Sequence, residues 1–572
     1  MELSNGFLVE VDGTPLPDEI EPLLVSAVVD DSVHLPDLFV LRFRDPDRIV
    51  LAKTSIAVGA TVELSVTTSG GGGPHPLMTG EVTALEAELD ATGTFTVVRG
   101  LDPVHRLFRA RRTEAYTQVT AADIARTVAQ RAQLRIGTVD ATPTVFDHVT
   151  QGGTTDWQFL QGLAREVGYE VVVRDGRFDF RRPRTAAEAP APGGPLATDP
   201  RVLQLGSDLL RLRAVVTAAD QVAEVEVRGW DVESKRALVA TAQARTTSAV
   251  LPTVAAADMA AAFGDPVYVA TDVPHRAQSE VDAAAEALAD RIASTFAELE
   301  GVARGNPELR AGTAIAIDNL GEPFDGKYTI TSARHVYDAA GGYTTALTVS
   351  GREARSIHGL TGGSAAPSPA PGVVIAQVSD VNDPQSQGRV QLTFPWLSDD
   401  YVSDWARTVQ PGAGKDRGAM VVPEVGDEVL VAFEQGDLRR PYVIGGLFNG
   451  VDKPSTGGIG LVDSGSGAVN RRSVVSRRGH RIDLLDDDGR AEGVELSSAD
   501  GGLKLALDAT GTAITVASDG TVRVEGARGV VVDAKASTLE LKGAQITLSA
   551  TTSLTVESQG QTSISGRLVR IN

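Results

Sequence analysis

The stretch Gly321 to Tyr328, GEPFDGKY, matches the phosphate-cradling pattern G-x-x-x-x-G-K-[ST] at every position but the last. That chemistry needs a small hydroxyl after the lysine to ligate magnesium, a helix N-terminus facing the phosphates, and a loop free of repelling charge. Here Tyr328 follows Lys327, a strand-like YTITSA follows in turn, and Glu322 and Asp325 stand in the loop, so the spacing predicts a turn between two strands. The eight histidines, His34, His75, His105, His148, His275, His335, His358 and His480, include no pair at i, i+2 or i, i+4. A metal asks for such spacing, and none is expected. Asp486-Asp487-Asp488-Gly489 lacks both the alternation and the distal glutamate of a calcium loop and reads as a solvated turn. With 75 acidic residues, chance carboxylate pairs are inevitable, and none sits in a recognisable hydrolytic context. Cysteine is absent, which removes thiol nucleophiles, disulfides and Cys-ligated metals and fits synthesis in a reducing compartment. The expectation is a protein without catalytic residues, without a cofactor and without a metal.

What remains must be carried by architecture. The chain has 572 residues, with 53 Lys+Arg against 75 Asp+Glu, a formal charge of −22. That balance argues against nucleic acid as a partner. The start, MELSNGFLVEVDG, lacks a basic segment followed by an apolar stretch, and no run of 18 or more apolar residues occurs. Neither a cleaved signal nor stable membrane insertion is expected. The 59 glycines fall mostly between short strands, which points to a largely β chain.

Gly, Pro and Ser content marks loops at 69–76, 182–200 and 361–372, the last being the best domain boundary. The part before it, 1–360, mixes strands with a few well-signalled helices. Thr120 can cap a helix running to Gln133, with Asp123 placed to reach back. A second helix starts at Thr155, carries Trp157, Leu160, Ala164 and Val167 on one side, and stops at Gly168. YEVVVRDGRFDF then reads as a hairpin turning at Asp175-Gly176. Ser279 to Glu300 reads as the longest helix, with Gly301 as its stop; strands are expected at Thr313 to Ile317 and Lys327 to Ser332. From 373 to 450, about five short strands suit a small closed barrel of the OB type.

After Phe448 the remaining 124 residues contain no Phe, Trp or Tyr. From 493 onward short alternating pieces recur, beginning at Leu503, Ile514, Val522, Val530, Leu539, Ile546 and Leu554, in steps of 11, 8, 8, 9, 7 and 8. A period near eight is a repeat signature. Each unit sets two or three aliphatic side chains on one face, too few to bury themselves in one thin chain. Three chains wound about a common axis would bury them as the walls of a triangular prism, whose narrow bore excludes aromatic rings. The inward positions are then Leu503, Leu505, Ile514, Val516, Val522, Val524, Val530, Val532, Leu539, Leu541, Ile546, Leu548, Leu554 and Val556. A single-chain parallel β-helix, which needs about 20 or more residues per coil, is the competing reading. Residues 451–492 form a neck, where Arg471, Arg472, Arg477, Arg478 and Arg481 are expected to pair with acids of neighbouring chains rather than bind a polyanion.

The order of these parts resembles the VgrG spike proteins of contractile injection systems and the hub-plus-spike proteins of contractile phage tails. The resemblance is carried by TDWQFLQGLAREVGYEVVVRDGRFDF and GKYTITSARHVYDAAGGYTTALTVSGR in the hub, by GRVQLTFPW with VPEVGDEVLVAFEQGDLRRPYVIGGLFNG in the barrel, and by SRRGHRIDLLDDDGRAEGVEL before the prism. It implies a mainly β protein with an α+β hub containing two tube-like barrels, an OB-fold domain and a trimeric triangular β-helix. It also implies a homotrimer that caps a hexameric inner-tube protein, contacts baseplate proteins and carries a PAAR-like tip protein or effector cargo. Some phage spikes hold a tip metal through closely spaced histidines; His480 is the last histidine here, about 90 residues from the end, so a separate protein is expected to cover Ile564, Leu568, Val569 and Ile571. The stretch between barrel and prism is too short for an inserted lysozyme domain, and no enzyme is expected. The function read from all this is that of a mechanical spike, assembled in the cytoplasm as part of a baseplate or particle and delivered outward to a target envelope. The alternative is a trimeric tail fibre or glycan-degrading enzyme with the prism as its stalk, for which the interposed OB barrel has no evident use.

Overall fold

The computed structural model describes residues 6–68, 73–174, 176–192, 199–352 and 372–571. The boundary segment 361–372, except its last residue, lies outside the described residues, as do parts of the loops at 69–76 and 182–200, the turn residue Asp175, and His358. The molecule is mostly β, with 42% strand and 12% helix. It divides into two compact units, 1–449 and 450–572.

The first unit is organised by an eleven-stranded sheet. In spatial order it runs Leu209–Val216, Ala297–Arg304, Gly342–Val349, Ser332–Asp338, Leu24–Ser32, Leu38–Arg44, Gly93–Leu101, His75–Asp90, Thr61–Thr67, Gly6–Val11 and Thr14–Pro15. Alternation builds it: in Gly6–Val11 and Leu38–Arg44 every second residue is buried, so Phe7, Val9, Val11, Phe39, Leu41 and Phe43 enter one core. The strand Leu24–Ser32 joins the two halves, pairing antiparallel with Leu38–Arg44 on one side and with Ser332–Asp338 on the other. Gly100 is required where it stands, because a Cβ there would lie 2.2 Å from the Phe39 ring and 2.5 Å from the Glu81 carbonyl.

Between the halves lies an α/β module. Helix Ala121–Arg131 begins with a capping box in which Thr120 and Asp123 satisfy each other's backbone N–H. Helix Asp156–Val167 has the same device through Thr155 and Gln158 and ends at Gly168, whose φ of +71° is the left-handed stop. The hairpin strands Glu170–Arg174 and Arg177–Arg181 follow. Both helix starts, the stop at Gly168 and the paired hairpin strands fall as their sequence signals predict, while the first helix ends at Arg131, two residues short of the expected Gln133.

One helix does not. Gln278–Ala293 ends seven residues before the expected Glu300; a short 3₁₀ turn, Ser294–Phe296, follows, and Ala297–Arg304 is a strand. The hydroxyls of Ser294 and Thr295 donate to the carbonyls of Arg291 and Ile292, closing off the last turn. Leu299 and Gly301 sit inside the sheet, paired on both edges, so tertiary pairing overrides the helical spacing. The strand expected from Thr313 is Ala314–Asp318, and the one expected from Lys327 is Gly326–Thr329 with a separate strand from Ser332.

The barrel of the first unit is a five-stranded sheet in the order Gln391–Thr393, Val373–Asp380, Glu428–Phe433, Pro441–Gly446, Arg407–Thr408. Ala376, Val378, Val390, Leu392, Phe394, Val429, Val431 and Val443 fill it. The second unit opens with an antiparallel meander of five strands, Arg471–Val475, Arg481–Asp487, Ala491–Ser497, Leu503–Asp508 and Ala513–Ser518. From 519 to 571 no strand pairing occurs among the described residues.

Candidate functional site

The phosphate-like loop is a strand connection. Asp325 accepts from the Leu320 and Gly321 N–H groups (2.8 and 3.1 Å), and Lys327 Nζ donates to the Ala187 and Ala189 carbonyls (3.2 and 2.7 Å). Its lysine is spent on holding a neighbouring loop. No group of three or more His, Asp or Glu residues placed to hold a metal occurs among the described residues. Of the run expected as a turn, Asp486 and Asp487 still belong to strand Arg481–Asp487, and the chain turns at 488–490 before Ala491–Ser497, with Gly489 at φ +68°.

Two features concentrate the unusual chemistry. The first is the seam between hub and barrel within the first unit. The loop after strand Glu428–Phe433 enters the hub with Leu438 against Gly152, at 2.2 Å from where a Cβ would stand there. Arg439 binds Asp437 (3.0 Å) and Glu166 (3.3 Å), Arg276 binds Glu434 (3.1 Å), and Arg440 lies 3.9 Å from Glu280. Burial alone would lower the Arg439 guanidinium, but Glu166 and Asp437 outweigh it and hold its pKa up. Tyr401 and Thr150 hydrogen-bond at 2.9 Å, and the His148 ring contacts the Val402 carbonyl at 3.3 Å. Burial pushes both His148 and His275 below the ordinary imidazole value, with Arg439 and Arg440 pressing the same way; Asp404 opposes this at His148, Glu166 and Glu280 at His275. Two neutral histidines therefore sit among arginines at the joint.

The second feature is the meander of the second unit. Its register aligns two rows across all five strands. One row is Val474, Ile482, Leu496, Leu505 and Val516; the other is Arg472, Leu484, Val494, Leu507 and Ile514. All are exposed except Val494, which is half-buried; Ile514 keeps 74% of its surface. The opposite face is polar and partly covered: Asp483 is buried, held by Ser473 and Arg481, and Lys504 pairs with Glu495 at 2.6 Å. A single chain thus turns its aliphatic face to water and buries carboxylate and guanidinium, the reverse of an ordinary sheet.

Of the residues expected inward, Leu503, Leu505, Ile514 and Val516 share this apolar face, beside Leu507. Val522, Val524, Val530, Val532, Leu539, Leu541, Ile546, Leu548, Leu554 and Val556 are exposed, as are Ile564, Leu568, Val569 and Ile571. The sequence reading missed Val474, Ile482, Leu484, Val494 and Leu496, whose alternation in SVV, RIDLL and GVEL was the available signal. It also expected the arginine run to look to other chains. Instead Arg471 is 2% exposed and donates to the Ser455 carbonyl (2.5 Å), Arg472 pairs with Asp486 (2.7 Å) and Arg481 with Asp483 (2.6 Å). Asp486 comes from the neighbouring strand and Asp483 from the same strand as Arg481.

Comparison with known proteins places this architecture. Residues 374–448 match the family described as the type VI secretion system/phage-baseplate injector OB domain. A model described as the Alg8 N-terminal domain matches 69–338, less than half of the chain. Similar curated proteins are the type VI secretion system spike protein VgrG2a of Pseudomonas aeruginosa, 33% identical over 16% of this chain, and VgrG3 of Vibrio cholerae, 31% identical over 19%. These matches span only 12% and 11% of the relatives' own lengths. In fold, the chain is similar to a solved Francisella PdpA-VgrG complex, half-lidded, at TM-score 0.53 and 8% identity, covering 90% of this chain and 88% of that one. The class is thus a mainly β protein with an OB-type domain similar to those of baseplate injectors. Its resemblance to VgrG-type spike proteins rests on short stretches in sequence and on nearly the whole chain in fold.

Proposed function

We propose that the protein is the central hub and spike of a contractile injection system, acting as a homotrimer without enzymatic activity. Residues 1–360 form the hub that caps a hexameric inner tube, 373–450 the OB domain, 451–492 the neck and 493–572 a three-chain β-prism. The observation that carries the reading is the pair of aliphatic rows left bare by a single chain, continued by the eight-residue repeat beyond them. Two further copies would cover those rows, and the absence of aromatics after Phe448 suits a narrow bore. The likeness to VgrG spike proteins supports the baseplate setting, assembly in the cytoplasm, outward delivery on sheath contraction, and a PAAR-like tip protein or effector on Ile564, Leu568 and Ile571.

The mechanism is mechanical. A rigid prism at the front of a driven tube concentrates force on a small area, and interwound strands leave no free edge to peel. Three chains carry three times −22, or −66 charges, which discourages clinging to anionic envelopes. Light scattering on the purified full-length protein tests the reading: three chains of 59.8 kDa give 179.4 kDa. A stable 59.8 kDa monomer would overturn it.

A further inference from the structure

Hairpin 170–181 meets the loop before strand Ala314–Asp318 through one face, on which Arg174 and Arg181 flank Val172. Val172, Val33 and Ala311 form a small apolar cluster there. Next to it stands Gly312, at φ +72°, and the place its Cβ would take is 3.5 Å from Arg181 Nη2, 3.8 Å from Arg174 Nη2 and 3.8 Å from Val33. Two guanidinium ends thus converge on the side-chain-less face of a glycine, with an apolar wall behind it.

The charges around this point do not cancel pairwise. Arg310 and Arg184 add their fields to those of Arg174 and Arg181. Asp31 serves Arg310 at 2.6 Å, Glu170 lies 3.2 Å from Arg181 Nε without hydrogen-bonding to it, and Asp179 lies 3.9 Å from Arg181 while accepting from the Thr138 N–H. Among the described residues Arg174 donates to neutral acceptors only, the Ala311 carbonyl (2.6 Å) and the Thr313 hydroxyl (3.4 Å). Arg181 is 7% exposed, and its Nη2 meets no acceptor among the described residues. A buried guanidinium N–H without an acceptor is costly, and an acceptor in a low-dielectric setting is bound strongly.

We propose that Arg174 and Arg181 hold a small inorganic anion of chloride size beside Gly312, tying hairpin 170–181 to the loop 309–313. Both Nη2 atoms lie within 3.8 Å of one point beside Gly312, and a spherical monatomic anion can face both at once without further donors, which favours a halide over phosphate or a carboxylate. The anion supplies the acceptor that Arg181 Nη2 lacks and screens the two like charges from each other. It belongs to the scaffold of the hub and is independent of how the chain is used.

Thermal unfolding of the full-length protein in sodium chloride against sodium gluconate, at equal ionic strength, tests this. The expected result is a saturating rise in Tm of about 2 °C or more in chloride only. The rise should vanish in Arg181→Gln and persist in Arg99→Gln, which removes an exposed pair with Glu86 elsewhere in the hub. Equal responses in the two salts, or a chloride response retained by Arg181→Gln, would overturn the proposal and leave water as the acceptor. Should Arg181→Gln fail to fold, crystals of the unaltered protein grown in bromide decide: an anomalous peak in contact with both Nη2 atoms is expected, and its absence refutes the site.

Discussion

Replacing Val524 by aspartate is the sharpest challenge to the three-chain prism. In the single chain Val524 keeps 71% of its surface. Full burial of such a side chain is worth roughly 1.5–3 kcal/mol, so closing three copies over it contributes about 1–2 kcal/mol per chain. Aspartate forfeits that and gathers three carboxylates in one ring, where desolvation costs several kcal/mol per ion. The sum is about 10 kcal/mol or more per ring at neutral pH. Arg523→Ala is the control: in the proposed register its side chain lies on the other face, and among the described residues it pairs with the exposed Glu525, an arrangement worth little. By light scattering, Val524→Asp should fall from the trimer mass while Arg523→Ala keeps it, and acidification to about pH 4 should partly restore assembly as the carboxylates take up protons. Equal behaviour of the two variants would mean that the inward register is wrong, since a one-residue slip exchanges the faces.

The other expectations concern the first unit. Arg439→Met leaves the buried Asp437 and the half-buried Glu166 without this cation and should cost about 3–5 kcal/mol by urea unfolding, with faster hydrogen exchange in the barrel strands. Gly100→Ala drives a methyl into the Phe39 ring and the Glu81 carbonyl and should cost about 1–3 kcal/mol or more, read as a lowered urea midpoint. Because the pKa values of His148 and His275 are lowered by folding, the native state binds fewer protons than the unfolded one. Their contribution is therefore complete above about pH 6.5 and is lost as the pH falls below it. His148→Gln should flatten the decline in Tm between about pH 6.5 and 5. Burial pushes Asp102 up to about 7, so this group works the other way, and Asp102→Asn should gain most over the parent at about pH 8 and lose that gain towards pH 4.

Local signals carried far in this chain where they were chemically complete. Thr120 with Asp123, and Thr155 with Gln158, each specify a helix start by reciprocal hydrogen bonds between residues three apart, and nothing distant is needed to see them. The helix expected to reach Glu300 failed because Ala297–Arg304 has two strand partners whose sequences lie some distance away. The seam was invisible for the same reason: Arg439 and Glu166 are 273 residues apart, and no periodicity links them. The aliphatic rows of the meander occupy an intermediate case. Each strand shows its own alternation, but only the antiparallel register reveals that Ile482, Leu496 and Leu505 stand side by side.

The place of Leu24–Ser32 in the large sheet has a consequence for synthesis. One of its edges is filled by Leu38–Arg44, almost as soon as that segment is made, but the other waits for Ser332–Asp338, about 300 residues later. Until then the early half of the hub presents an open edge that templates the late half, and any competing strand can occupy it. The meander of the second unit has the opposite character, because each strand pairs with its neighbour in sequence. Contact order therefore divides the chain: the large sheet closes slowly around a waiting strand, while the meander can zip as it is made. A ribosome pausing before residue 332 would prolong the one interval in which this fold is open to mispairing.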